Sequence, residues 1–431
     1  MGVIMRILVV STNTLKKPMP VLPVGAGMVY SALTAAGFET RFLDLAFMAE
    51  PFAALRDELR VFEPELICLS VRNIDNQVIQ QPESYLPFIR EVMKVCRTCS
   101  SAKVLLGGAA MLVMPEELVE ELGADYGIKG SGETEAVRLA HELERGQAAG
   151  RDKVVTAVPA YHPVYSRIPA KTLFSPQYFI PNPRIKKASM GYQASRGCSR
   201  HCIYCSEGYK NSGGCRIPAE QFMEDMKILQ ADYQVNSITF VDGVFNHDVE
   251  ETMEFCGLIG RTSASLDWSC ALTPANITEE LVCLLKRSGC RFVDIGADSG
   301  SEQMLRRMGK QFHPEQLLEL GRLLEQYQIP YSVSLLFGGP GEHEETMAET
   351  VQLVNQLNPV YILASQGIRI YPHTALYHTA LQEQVIQKND NLLVPAFYQS
   401  KDYSDALLNK VLAASRHIYK DMLMNSIGGR T

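Results

Sequence analysis

Residues 198 to 205 read Cys-Ser-Arg-His-Cys-Ile-Tyr-Cys, three thiols spaced C-x3-C-x2-C directly after a strand-like stretch from Met190 to Ala194. A short loop with three convergent thiolates can hold three corners of a four-iron four-sulfur cluster. The fourth iron then has no protein ligand and is open to a substrate or cosubstrate. Two other readings use the same residues. With His201 and Cys215 the cysteines could form a structural zinc site, but such sites take four protein ligands and often two paired knuckles, and no second knuckle follows. Buried unligated thiols are the third reading. Their apolar or helical surroundings suggest it for Cys68, Cys96, Cys99, Cys256, Cys270, Cys283 and Cys290.

The run RGCSRHCIYC (196–205) resembles the signature of radical S-adenosylmethionine (SAM) enzymes. The resemblance implies a 4Fe-4S cluster on Cys198, Cys202 and Cys205 whose open iron chelates the amino and carboxylate groups of SAM. It also implies reductive cleavage of SAM to a 5′-deoxyadenosyl radical, with an electron donor such as flavodoxin or ferredoxin. Tyr204 matches the aromatic that packs near the adenine in that family.

A chain of 431 residues is too long for one ordinary core and suggests two domains or more. Its 46% hydrophobic and 21% charged residues are typical of a soluble globular protein, and a net charge of -7 gives no support to nucleic-acid binding. There is no apolar run of membrane-spanning length and no signal-peptide pattern, so a cytoplasmic protein is expected. Eleven cysteines, an odd number scattered through core-like segments, do not resemble a secreted disulfide framework.

From Arg6 to about Gly146, short apolar runs alternate with amphipathic helical patterns, which implies a doubly wound parallel sheet. Such sheets bind ligands at the carboxyl ends of their strands. Gly107-Gly108 and Gly130-Ser131-Gly132-Glu133 follow two of those strands and let backbone approach a large planar ligand. Gly25-x-Gly27 is weaker, since it lacks a third glycine and does not directly follow a strand. In this order, the segments LPVGAGMVYSALTAAGF, ICLSVRNIDN, VLLGGAAMLVMPEEL and YGIKGSGETEAVRLAHEL resemble the cobalamin-binding domain that precedes the radical core in one large class of radical SAM enzymes. That likeness implies a Rossmann-like cobalamin-binding fold.

The best-known cobalamin folds use a D-x-H-x-x-G motif whose histidine ligates cobalt. Here the first histidine of the chain is His141, so cobalamin is expected base-off with no histidine ligand. The loop Ser70-Val71-Arg72-Asn73 would lie beneath the corrin, with Arg72 or Asn73 facing cobalt. An arginine cannot lose its proton and is a poor ligand. The bland alternative is that Arg72 pairs with Asp75 and caps the sheet.

Residues 147–189 hold Pro159, Pro163, Pro169, Pro176, Pro181 and Pro183 with little periodicity and read as a linker. Its aromatics Tyr161, Tyr165, Phe174, Tyr178 and Phe179 either line a cleft or, more in keeping with a connector, anchor it. From 190 to 375, six strand patterns separated by helices point to a partial barrel of six β/α units, the form the radical SAM family takes. Asp242, Asp294, Asp298 and Ser299 fall at or near strand ends, where such a barrel places its chemistry.

The stretch IGADSGSEQMLRRMGK is similar to the family's G-x-E-S segment, which implies that Asp298 and Ser299 contact SAM, the aspartate standing where glutamate is commoner. LFGGPGEHEET resembles the family's G-x-P-G-E-T turn, with Glu342 as a helix-start residue or ligand contact. Arg369 and Tyr371, two residues apart on one strand face in GIRIYPHT, are candidates to meet substrate, with Asp242 as a third catalytic candidate. Arg216 is read as a carboxylate contact to SAM or, equally, as a surface partner of Glu220. Gly213-Gly214 lies off the family's SAM-amino-binding position. The tail, 376–431, is expected to be helical without strands, with Phe397 and Tyr398 closing the site or filling an interface.

Together these resemblances imply a cobalamin-dependent radical SAM enzyme. The leading reading is a methyltransferase that moves a methyl group via methylcobalamin to an unactivated carbon of a small-molecule or natural-product substrate after hydrogen abstraction. The alternatives are a non-methylating cyclisation, rearrangement or oxidation, and a non-catalytic corrin-binding sensor with a structural metal site. No nucleic-acid or membrane partner is expected.

Overall fold

A computed structural model describes residues 4–16, 20–157, 173–179, 189–206, 215–262 and 266–415. The chain divides into two compact units: Met1–Asn76, Glu83–Ile185 and Glu224–Val235 form one, and Gln77–Pro82, Lys186–Met223 and Asn236–Thr431 the other.

In the first, strands β1 (Arg6–Ser11), β2 (Glu39–Asp44), β3 (Leu66–Ser70), β4 (Lys103–Gly107), β5 (Tyr126–Lys129) and β6 (Val154–Thr156) alternate with helices α1 (Val24–Ala35), α2 (Pro51–Phe62), α3 (Leu86–Cys99), α4 (Pro115–Leu122) and α5 (Gly132–Glu144). The sheet is parallel in the order β2-β1-β3-β4-β5-β6. The apolar runs Ile7–Val10 and Leu66–Leu69 are buried throughout, as strands covered on both faces must be. Helix limits are written locally: α4 opens on Pro115 and stops at Gly123, whose φ of 62° breaks the helix. The strand order reverses between β1 and β3, where Ser11 faces Ser70 in register. In such a sheet that reversal marks the ligand crevice.

Strand β6 lies within the stretch read from the sequence as a linker. Three residues are too few for a strand pattern to show, and the parallel pairing Gly127↔Val154 to Lys129↔Thr156 makes them the sheet's last strand. Phe174 and Tyr178 anchor their segment to this unit: Phe174 meets Phe42 edge-on, and the Tyr178 hydroxyl donates to Asp44 Oδ2 at 2.6 Å. Pro159, Tyr161, Pro163, Tyr165, Pro169, Pro181 and Pro183 lie outside the described residues, as do Gly213, Gly214 and the tail beyond Ser415.

The second sheet is built from β7 (Ser189–Tyr192), β10 (Ser237–Phe240), β11 (Asp267–Leu272), β12 (Cys290–Asp298), β13 (Tyr331–Phe337) and β14 (Tyr361–Gln366). Short strands β8 (Ser195–Arg196) and β9 (Cys215–Arg216) come between β7 and β10. Helix α6 (Ala219–Tyr233) follows β9, with its residues from Glu224 on in the first unit, and the helices of the second are α7 (Val249–Thr262), α8 (Glu279–Arg287), α9 (Glu302–Arg307), α10 (Pro314–Gln326) and α11 (Glu344–Val354). All six long strands are parallel and each adds to the edge left by the one before, the pattern of a partial six-unit β/α barrel. Trp268 seals the helix-facing side against Phe240 and Phe245.

The tail corrects one expectation. After α12 (Ala375–Gln382), Phe397 and Tyr398 form β16, which pairs antiparallel with β15 (Ile368–Arg369) before α13 (Asp405–Leu412). A two-residue ladder leaves no alternation to read. Tyr398 is buried with its hydroxyl on Glu383.

The close backbone approach at the β4 end is testable. Gly108 has φ +96°, and a Cβ there would stand 2.4 Å from the Val71 carbonyl oxygen, whereas one at Gly107 meets nothing within 4 Å. Gly108→Ala should destabilise the protein by more than about 2 kcal/mol and Gly107→Ala by less than about 1 kcal/mol, measured by denaturant unfolding.

Candidate active site

The cysteine loop has little regular structure and is held by its neighbours' backbone. Ile203 N–H donates to Met308 O (3.1 Å), Leu376 N–H donates to Ile203 O (2.9 Å), and Cys205 N–H closes a turn on Cys202 O (3.1 Å). Gly309, at φ +72°, lies so close that a Cβ would be 2.4 Å from His201 O. Cys198 is buried and Cys202 and Cys205 are half-buried. Among the described residues no three His, Cys, Asp or Glu side chains are arranged to hold a single metal ion. A four-iron cluster is larger than an ion and takes cysteines set further apart.

Beside Cys202 and Cys205 stands a group the sequence only half announces. A register shift between Gly296 and Asp298, with Asp298 at φ 64°, re-aims the Asp298 carboxylate at the end of β12. Asp298 Oδ2 accepts from the Tyr204 hydroxyl at 2.5 Å and pairs with Lys310 Nζ at 2.8 Å. Lys310 also donates to Gly296 O (3.2 Å). Burial works against the lysine's charge, but Asp298 and the two cysteines outweigh it and hold its pKa above the ordinary value. Burial and Asp298 keep Tyr204 firmly protonated. Lys310 was missed because a lysine after a glycine at a helix end reads as a surface charge. Ser299 is turned inward, sharing a hydrogen bond with Thr350 (2.8 Å) and accepting from Ser301 N–H (3.1 Å).

Asp242, just beyond β10, clamps the approach to the cysteine loop. Its Oδ1 accepts from the N–H groups of Ala194 and Ser195, each at 2.8 Å. Its Oδ2 is buried with no hydrogen bond among the described residues, and burial pushes the carboxyl up to about 6. Arg216 donates to Phe245 O (2.7 Å), lies 5.1 Å from the Phe245 and Phe255 rings and pairs with Glu251 at 3.4 Å; the acid expected as its surface partner was Glu220. The Arg369 guanidinium is buried, donating to the carbonyls of Ile370 and Leu392 at 2.6 Å each. It also covers the Tyr371 ring at 4.9 Å. These contacts tie Arg369 to its own strand and the tail.

In the first unit, Ser70 O accepts from Thr12 across the β1–β3 reversal (2.9 Å), and Val71 is buried, donating to Gly107 O (2.8 Å). Arg72 is exposed and forms no ion pair among the described residues; the Asn73 amide, in its bonded orientation, donates to Arg72 O and accepts from Arg72 Nη1. The expected alternative, a pair with Asp75, is therefore not formed. Gly130 (φ +102°) approaches Ala157 O, Gly132 begins α5 and Glu133 is buried in its first turn. The open space at Gly107 and an unpaired cation past β3 suit a large anionic or planar ligand at the crevice. His141, the first histidine, is on α5 against Phe38.

Glu342 yields a pH prediction. It is buried, accepts from the Gly338 N–H, and burial raises its carboxyl from 4.5 to about 7. The folded chain keeps this proton where the unfolded chain has lost it. Its stabilising contribution is therefore full below pH 4.5 and is lost as pH rises through about 7. Glu342→Gln should flatten the fall in denaturant midpoint across that window, and an unchanged slope would contradict the assignment.

Comparison with known proteins follows the two units. Residues 11–140 match the B12 binding domain model and residues 192–354 the Radical SAM superfamily model. The chain is 26% identical to a tryptophan 2-C-methyltransferase of Streptomyces laurentii over 83% of its own length and 72% of the relative's. It is 22% identical to an uncharacterised methyltransferase of Pyrococcus horikoshii over 66% and 64%. The solved structure of the radical SAM methyltransferase TsrM from Kitasatospora setae, with cobalamin and a [4Fe-4S] cluster bound, superposes with TM-score 0.81 at 21% identity, covering 96% of this chain and 91% of that one. The cobalamin-dependent radical enzyme OxsB gives 0.72 at 15%, covering 95% and 66%. No helix among the described residues is long and apolar enough to cross a membrane. The chain thus carries a B12-binding domain, residues 11–140, ahead of a Radical SAM domain, residues 192–354.

Proposed function

We propose that this chain is a cobalamin-dependent radical SAM methyltransferase that places a methyl group on carbon of a small-molecule substrate. In this reading residues 1–146 are the cobalamin-binding domain, 147–189 the linker, 190–375 the radical core and 376–431 its extension. The observation that carries it is a three-cysteine loop flanked by one buried cation and one buried anion, in the same chain as a sheet that has no histidine to give cobalt. When bound, the cluster supplies the electron that cleaves SAM, and cobalamin supplies a nucleophilic carrier for the methyl group.

The chain's own groups do the positioning. Lys310 offers positive charge to the SAM carboxylate, and the unsatisfied Oδ2 of Asp242 suits the SAM ammonium. Asp298, aimed by its bulge, faces the ribose, while Tyr204 is held against it. Arg72, steadied by Asn73, would stand beneath the corrin and leave cobalt base-off, because a guanidinium keeps its proton and ligates poorly. An external one-electron donor of the flavodoxin or ferredoxin kind and a reducing, cytoplasmic setting complete the reading.

The name of the Streptomyces relative supports a second version, in which the acceptor is an unsaturated carbon such as C2 of tryptophan. Methyl addition there needs no prior hydrogen abstraction. Counting products separates the versions. Abstraction at an unactivated carbon should give S-adenosylhomocysteine and 5′-deoxyadenosine in equal amounts per methylated product. S-adenosylhomocysteine with product but no 5′-deoxyadenosine would select the second version, and 5′-deoxyadenosine alone would overturn methyl transfer.

A further inference from the structure

Cys270, Val293, Ile295 and Val333 are buried on the helix side of β11 to β13, and the residues between them form the other face, mostly half-buried but with Ser332 fully buried beside Val333. Parallel register sorts that face into rows. Ala271, Asp294, Ser332 and Tyr361 stand side by side, and Gly296 pairs with Ser334 one step nearer the strand ends. Asp294 is the carboxylate of these rows. Ser332 Oγ donates to its Oδ1, and it forms no ion pair among the described residues.

The surroundings of Asp294 leave room and supply aromatic faces. A Cβ built at Gly296 meets nothing within 4 Å, so space continues from Asp294 towards Asp298. Phe292, two residues before Asp294 on the same face, stacks on Tyr361 with ring centroids 5.8 Å apart and planes 17° apart. A carboxylate held by one hydroxyl, with no cation paired to it among the described residues, Lys310 being committed to Asp298 and Gly296 O, and with ring faces beside it, is complementary to a cationic group.

We propose that this row binds the ammonium group of an amine-bearing substrate, with Asp294 supplying the charge, Ser332 fixing the carboxylate and the Phe292–Tyr361 pair flanking it. The inference rests on the proposed function, whose reaction site is at the strand ends, and names the group that a substrate would extend from there to this row, which holds the second residue of β13 and the first of β14. The ammonium of SAM offers the same chemistry, so the test must tell the two sources apart.

Equilibrium binding does this without requiring turnover. Anaerobically reconstituted wild-type protein and the Asp294→Asn and Asp294→Glu variants would be titrated with tryptamine, tryptophan, indole-3-propionate and SAM. The two amines should bind at least about tenfold more tightly than the amine-free propionate. Asp294→Asn should erase that preference and leave SAM affinity unchanged, which also shows the variant to be folded, and Asp294→Glu should restore part of it. Equal binding of propionate, an unchanged amine affinity in Asp294→Asn, or binding of none of the indole probes would overturn the proposal. Weakened SAM binding in Asp294→Asn would also overturn it, giving the carboxylate to SAM. Amine binding without any methylated product would leave the inference standing and count against methyl transfer.

Discussion

A loop with almost no regular structure must carry three cysteines at fixed separations, and the second unit is arranged around holding it. Two kinds of contact do so. Backbone meets backbone where Met308 and Gly309 press against Ile203 and His201, and a buried carboxylate, Asp242, takes the N–H groups of Ala194 and Ser195 ahead of Cys198. Gly309 permits the first, since any Cβ would strike the His201 carbonyl. Burial without full hydrogen bonding makes the second costly, which is why the Asp242 carboxyl rises to about 6. Such local cost is commonly retained where geometry matters for chemistry.

Charge around that loop is distributed with the same economy. Lys310, Asp298 and Tyr204 form one connected set beside Cys202 and Cys205, and Asp242 stands on the other side of the sequence motif with an oxygen left over. Arg216, by contrast, is held by Phe245 O, two ring faces and Glu251, and Arg369 donates to carbonyl groups. They shape the protein around the site and keep its walls in place. Two arginines that look alike as sequence candidates thus differ in kind from a lysine that looks ordinary.

Much of this was legible because it rests on periodicity and spacing. Five strands of the first sheet, all six of the second and the helices between them show as apolar runs and helical patterns, and the cysteine spacing stands out alone. What stayed hidden depends on few residues or on long-range contacts. Strand β6 and the β15–β16 ladder are too short to carry a pattern. Lys310 becomes important only because a bulge turns Asp298 towards it, and no local signal marks a bulge. Ser299 reads as a ligand contact from its motif, yet its hydroxyl is committed to Thr350, 51 residues away.

One chain should hold two separate cofactor sites, one on the cysteines and one on the histidine-free sheet. Metal analysis with visible spectroscopy of the anaerobically reconstituted protein tests it most directly, comparing wild type with a variant in which Cys198, Cys202 and Cys205 are all alanine. Wild-type protein should hold about four irons per chain, lost in the variant, while corrin absorption after cobalamin is added persists in both. Iron retained by the variant, or no corrin bands even with cobalamin supplied, would contradict it.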